Sequence, residues 1–135
     1  MARQQQSVLV IDDDATHLYL TRTLLEDDGI QVHTHQGAFG ATQRLKELEP
    51  DLVLLDVNMP GLSGEALARI LQRAQQRRPA RGAEPRPVPI VLYSSNDEDT
   101  LRQSVIDLGL SGYVCKGDLP GLRHRVRTFL GASAP

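Results

Sequence analysis

The stretch Asp51-Leu52-Val53-Leu54-Leu55-Asp56-Val57-Asn58-Met59-Pro60-Gly61 decides how the rest of the chain is read. Four consecutive aliphatic side chains, Leu52 to Leu55, place apolar groups on both sides of an extended strand, the pattern of a strand covered on both faces. Asp56 closes it, and a breaker-rich loop with Pro60 and Gly61 follows. Such a strand belongs in a parallel sheet whose crossover helices lie above and below it. Toward the N-terminus, Ala38, Ala41, Leu45 and Leu48 recur at helical spacing in a helix that must end before Pro50. Ile30-Gln31-Val32-His33 alternates like a half-buried strand, and Gly29 stops a preceding helix that carries Leu18, Leu20, Leu24 and Leu25. Val8 to Ile11 reads as the first strand, closed by Asp12-Asp13-Asp14.

Toward the C-terminus, Ser63-Gly64-Glu65 opens a helix with Leu67, Ile70, Leu71 and Ala74 as its expected buried face. Residues 77–87 hold three prolines, one glycine and four arginines and read as a solvated loop. Ile90 to Tyr93 is a strand, and Leu101, Val105 and Leu108 mark a helix. Gly112 to Cys115 is a short strand, and Leu119, Leu122, Val126, Phe129 and Leu130 mark a last helix. Strict βα alternation predicts an α/β fold with a doubly wound parallel sheet of five strands and five helices.

The 135 residues, 40% hydrophobic and 24% charged, suit a single domain over 1–135, with a core at about 7–130 and a short tail at 131–135. That tail is too short for an effector domain. No apolar run approaches the length of a membrane span or a signal peptide, so a cytoplasmic protein is expected. The single cysteine, Cys115, has no partner for an intrachain disulfide and reads as buried filler. Residues 1–65 carry four basic and eleven acidic side chains, for −7, and the remainder eleven basic and six acidic, for +5. The arginine-rich stretch lacks interleaved aromatics and a helix-turn-helix, so nucleic-acid binding is not expected. His17, His33, His35 and His124 lack zinc-ligand spacing and read as surface residues.

Ligands of open α/β sheets bind beyond the carboxyl ends of the strands. Asp12 and Asp13 end the first strand, Asp56 the third, Ser94 the fourth and Lys116 the fifth, so all should converge on one edge. Three carboxylates in one small site repel unless a cation neutralises them, and hard oxygen ligands suit Mg2+. A nearby lysine and hydroxyl would serve phosphoryl oxygens, and a carboxylate can accept a phosphoryl group. Asp14 is the expected cap of the first helix. Taken alone, Lys116 reads as a solvated surface lysine, Ser94 and Ser95 as turn formers, and Tyr113 as core packing.

In this order the residues resemble the receiver domain of bacterial two-component response regulators, of the single-domain, chemotaxis-regulator-like kind, over roughly Ser7 to Leu130. Val8 to Asp14 is similar to the family's first strand and acidic pair, and Asp51 to Gly64 to its phosphoacceptor signature. The resemblance implies a flavodoxin-like sheet of order 2-1-3-4-5. It implies that Asp56 accepts a phosphoryl group from a sensor histidine kinase or histidine phosphotransfer protein, and that Asp12, Asp13, Asp56 and the backbone carbonyl of Asn58 hold Mg2+. Ser94 takes the switch hydroxyl position, Lys116 pairs with the phosphoryl group, and Tyr113 matches the aromatic that reports activation to a downstream protein on the face of helix four, strand five and helix five. Family members often dimerise through that face. The chain would then be a phosphoacceptor rather than an enzyme, limited to slow self-phosphorylation and dephosphorylation.

Three departures accompany the resemblance. Gly117 follows Lys116 where the family usually has proline, often after a cis peptide. A cis bond before a non-proline residue costs about 3–4 kcal/mol, so a trans loop that places Lys116 differently is expected. Ser95 adds a second hydroxyl where a small residue is usual, and the span from Asp56 to Ser94 is longer than usual. Gly117 and Ser95 support an alternative, a degenerate receiver acting as a phosphorylation-independent scaffold. A many-turnover Mg2+ phosphohydrolase ranks last, because Asn58 stands where it would need a second acid-base aspartate.

Overall fold

A computed structural model describes residues 5–76 and 87–133. The order is β1 (Ser7–Asp12), α1 (Ala15–Asp27), β2 (Gln31–Gln36), α2 (Ala41–Leu48), β3 (Leu52–Leu55), α3 (Gly64–Gln76), β4 (Ile90–Ser94), α4 (Glu98–Leu108), β5 (Gly112–Cys115) and α5 (Leu119–Ser133). The five strands form one parallel sheet in the order β2-β1-β3-β4-β5. The loop at 77–87 lies outside the described residues except for Pro87. No described helix is long and apolar enough to cross a membrane.

Alternate side chains of the central strands feed two apolar layers. Val8, Val10, Leu52, Leu54, Val91 and Tyr93 pack under Leu18 and Leu25 of α1 and Leu122, Val126 and Leu130 of α5. Leu9, Ile11, Val53, Leu55 and Leu92 pack under α2, α3 and α4. This division follows from right-handed crossovers. The chain steps from β1 to β2 in one direction, then returns past β1 to β3, β4 and β5 in the other, which sends α1 to one face and α2, α3 and α4 to the opposite one. α5 completes the α1 side.

Several expectations shift. β2 runs to Gln36 rather than His33, because its ladder with β1 continues to the Asp12–Gln36 pair. α2 starts at Ala41, not Ala38, because Gly37 and Gly40 both take φ of +82°, which breaks a helix. On α3 the buried stripe is Leu67, Ala68, Leu71 and Ala74, while Ile70 is 43% exposed. At about 100° per residue, Ala68 and Ile70 flank the Leu67–Leu71 row on opposite sides, and the helix rolls toward its small alanine. Leu20 and Leu119 are also exposed. The expected tail at 131–135 is partly helical, since α5 continues to Ser133.

Candidate functional site

The parallel register levels the carboxyl ends of β1, β3, β4 and β5. Asp56 N–H donates to Ile11 O at 2.9 Å, and Lys116 N–H donates to Ser94 O at 2.8 Å. Asp12, Asp56, Ser94 and Lys116 therefore stand at one edge, and Asp13 follows directly. Asp14 caps α1 by accepting from Thr16 N–H, and its own N–H donates to Asp12 Oδ1 at 3.0 Å. Capping thus uses one aspartate of the three and leaves two for the site. One carboxylate oxygen each from Asp12, Asp13 and Asp56 lies within 4.8 Å of the other two, the single such acidic or metal-ligating cluster among the described residues.

Asp12 and Asp56 are 1% and 3% exposed. Lys116 Nζ lies 2.9 Å from Asp12 Oδ2 and 3.5 Å from Asp56 Oδ2. Burial pushes Asp56 up to about 6, and repulsion from Asp12 adds to it against the Asn58 N–H bond and the charge of Lys116. For Asp12, burial acts upward, but Lys116 and the Asp14 N–H outweigh it and hold the carboxyl below its ordinary value. Burial disfavours the Lys116 cation, yet the two carboxylates prevail and raise its pKa. Lys116 is thus not a solvated surface lysine. The peptide after it is trans, as expected, and Gly117 takes φ of +93°. With this trans, left-handed turn after it, Lys116 reaches both carboxylates.

Asp12 Oδ2 is buried and accepts no well-directed hydrogen bond, although Lys116 is close. A buried anionic oxygen met only by an ill-directed ammonium, beside two further carboxylates, belongs to a donor set that a hard divalent cation such as Mg2+ satisfies. Ser94 is fully buried, whereas Ser95 is exposed. Asn58 Nδ2 donates to Ser94 Oγ at 3.2 Å and to Asn96 Oδ1 at 2.8 Å, and Asn96 N–H donates to Ser94 Oγ at 3.2 Å. Asn58 N–H donates to Asp56 Oδ1 at 3.1 Å. Tyr113 stands apart, half-buried on β5, its hydroxyl donating to Glu98 Oε2 of α4 at 2.7 Å and its ring 5.6 Å from the Arg125 guanidinium of α5.

Residues 8–127 match the response regulator receiver domain family. The chain belongs to that family. It is 34% identical over 125 residues to the response regulator GacA of Pseudomonas viridiflava, covering 90% of this chain and 52% of that protein. It is 30% identical over 109 residues to the sensor protein GacS of Pseudomonas syringae pv. syringae, covering 81% of this chain and 12% of that protein. Both relatives are longer, and the receiver spans about half of the first and a small part of the second. The BeF3-activated N-terminal receiver domain of Klebsiella pneumoniae RstA has the same fold, with a TM-score of 0.76 and 28% identity over 93% of this chain and 98% of that one.

Some residues that shape this receiver's site were not singled out from sequence. A Cβ on Gly64 would stand 2.3 Å from Asp56 O, so only glycine lets the start of α3 close over the loop that carries Asp56. Its position in the Asp51–Gly64 signature was the available signal. Asn96, Glu98 and Tyr93 gave none, because their partners are far away in sequence or unremarkable in type.

Proposed function

We propose that this receiver is a phosphorylation-driven signalling switch in which Asp56 takes a phosphoryl group from a sensor histidine kinase or histidine phosphotransfer protein. The observation that carries the reading is the approach of Lys116 Nζ to both Asp12 and Asp56 beside the acidic cluster. An Asp56 oxygen attacks phosphorus, the P–N bond of the phosphohistidine breaks, and the imidazole leaves with the electron pair and takes up a proton. Lys116 faces the added charge. With a pKa of about 6, Asp56 is largely ionised at neutral pH and able to attack. Asp12, Asp13, Asp56 and the Asn58 carbonyl would hold Mg2+, which when bound neutralises phosphoryl oxygens.

Ser94 Oγ, at the end of β4, would turn toward a phosphoryl group on Asp56, exchanging its contacts with Asn58 and Asn96 for a new one. Tyr113, held between Glu98 and Arg125, would relay that change to a downstream protein at α4, β5 and α5. The protein's own chemistry is then limited to taking up and slowly losing the phosphoryl group. The reach of Lys116 counts against the part of the phosphorylation-independent scaffold reading that rests on Gly117, and the exposure of Ser95 beside the buried Ser94 counts against the part that rests on Ser95. The test is intact-protein mass spectrometry after incubation with acetyl phosphate and Mg2+. One phosphoryl adduct is expected, absent in Asp56→Asn; equal labelling of that variant, or no adduct and no beryllofluoride binding in the wild type, overturns the reading.

A further inference from the structure

Beneath the site lies an aromatic ring that the chemistry above does not use. Tyr93 directly precedes Ser94 but points to the opposite side of the sheet, where it is 3% exposed among the α1 and α5 side chains. Lys116 Nζ stands over its face, 5.7 Å from the ring centroid. Tyr93 is the register partner of Val114, and Lys116, two residues further on, falls on the same side of β5. The Tyr93 hydroxyl lies beside the side chain of Thr21, which α1 buries to 1% exposure. The ring is therefore packed between two helices and the sheet.

We infer that Tyr93 is a positioning residue for phosphoryl transfer, a shelf whose π face holds the Lys116 ammonium toward Asp12 and Asp56. The inference rests on the phosphoacceptor reading for its consequence, and on the ring-to-lysine geometry for its basis. Lys116 needs such support here. Its chain has four rotatable bonds, the next residue is Gly117 at φ +93°, and its contact with Asp12 Oδ2 lies off the hydrogen-bonding direction. An ion pair fixes a distance but leaves direction loose, whereas a buried ring closes one whole side and attracts the cation to its face. A ring on β4 thus does from below what a stiffer residue after Lys116 would do from the loop.

The test compares Tyr93→Phe, which keeps the ring and loses the hydroxyl, with Tyr93→Met, which keeps apolar bulk and loses the π face. In the full chain with acetyl phosphate and Mg2+, Tyr93→Met should slow labelling of Asp56 by about 3- to 30-fold, the range that a partly to fully desolvated cation–π contact supports. Tyr93→Phe should restore the rate, and Mg2+ affinity should stay at the wild-type value in both. A wild-type rate in Tyr93→Met, or an equal loss in Tyr93→Phe, overturns the inference. The chain has two lysines, Lys46 and Lys116, and Lys46 is exposed. Carbon-13 labelled lysine therefore gives two ε-methylene signals, and that of Lys116 should be moved upfield of Lys46 by the ring. A wild-type Lys116 signal at the Lys46 position overturns the shelf even if neither variant folds. A displaced signal in a wild type that takes no label retires the phosphoacceptor reading and leaves the shelf standing.

Discussion

At the scale of single residues, the site is held at the expense of stability. Asp56 binds its proton more tightly in the folded chain, at about 6, than at the ordinary carboxylate value of 3.8 that applies when unfolded. Between those values the folded state holds the extra proton, so this group's contribution falls as pH rises from about 4 and is fully unfavourable above about 6. Asp56→Asn should therefore stabilise the cation-free protein at pH 7 by on the order of 2 kcal/mol, with the gain vanishing near pH 4. Urea unfolding with chelator present measures it, and a destabilised Asp56→Asn at pH 7 would refute the assignment of repulsion and burial as the dominant forces. The carboxylates were legible because their chemistry follows from type and place alone, three acids at the ends of adjacent apolar strands. Lys116 was not, since one lysine after a short strand carries no sign of what it faces, and the choice of Ser94 over Ser95 needed the family pattern. Tyr93 was unreadable as anything but core, because its apolar packing hides a polar tip and a charged neighbour.

At the scale of elements, α1 and α5 are joined by a polar clasp that no periodicity reveals. The Asp28 side chain, at the C-cap of α1, is 4% exposed and receives Arg123 through two nitrogens, with Nε donating at 3.0 Å, and Arg127 Nη2 at 3.1 Å. The hydrogen bond from Arg123 foremost holds the Asp28 carboxyl below its ordinary value. A lowered folded pKa gives stability that is present above about pH 4 and lost as pH falls through the folded value. Asp28→Asn should lower Tm by several degrees at pH 7, with the difference from wild type closing below pH 4. A constant difference across that range would show that Asp28 acts through shape instead of charge. The apolar spacing of the last helix says nothing of Arg123 or Arg127, and 95 residues separate Arg123 from Asp28. Helix positions were legible from apolar spacing, but rotation was not. Ile70 and Ala68 exchanged places because spacing alone does not tell which flank of a stripe a neighbouring element will crowd, and there the smaller side chain went inside.

At the scale of the molecule, the alternation of strands and helices was enough to establish a doubly wound sheet, because fully apolar strands such as Leu52 to Leu55 require cover on both faces and right-handed crossovers leave few ways to provide it. The same topology gathers negative charge. Reversal of strand order at β1 opens the crevice where Asp12, Asp13 and Asp56 meet, so the fold's switch point coincides with the most acidic part of a chain whose first 65 residues carry −7. A fold that forces like charges together stores a free energy that a cation can recover, and binding confined to the folded state must raise stability by mass action. Mg2+ at ten times its dissociation constant should add about 1.4 kcal/mol, which for a domain of this size moves Tm up by about 4–7 °C. Chelation should reverse the rise, and Asp12→Asn, which removes one full negative charge from the buried cluster, should blunt it. Scanning calorimetry across a Mg2+ titration decides the matter. A flat Tm in the wild type would mean that Lys116 alone neutralises the cluster, and that the acidic edge is balanced from within the chain and not by a bound cation.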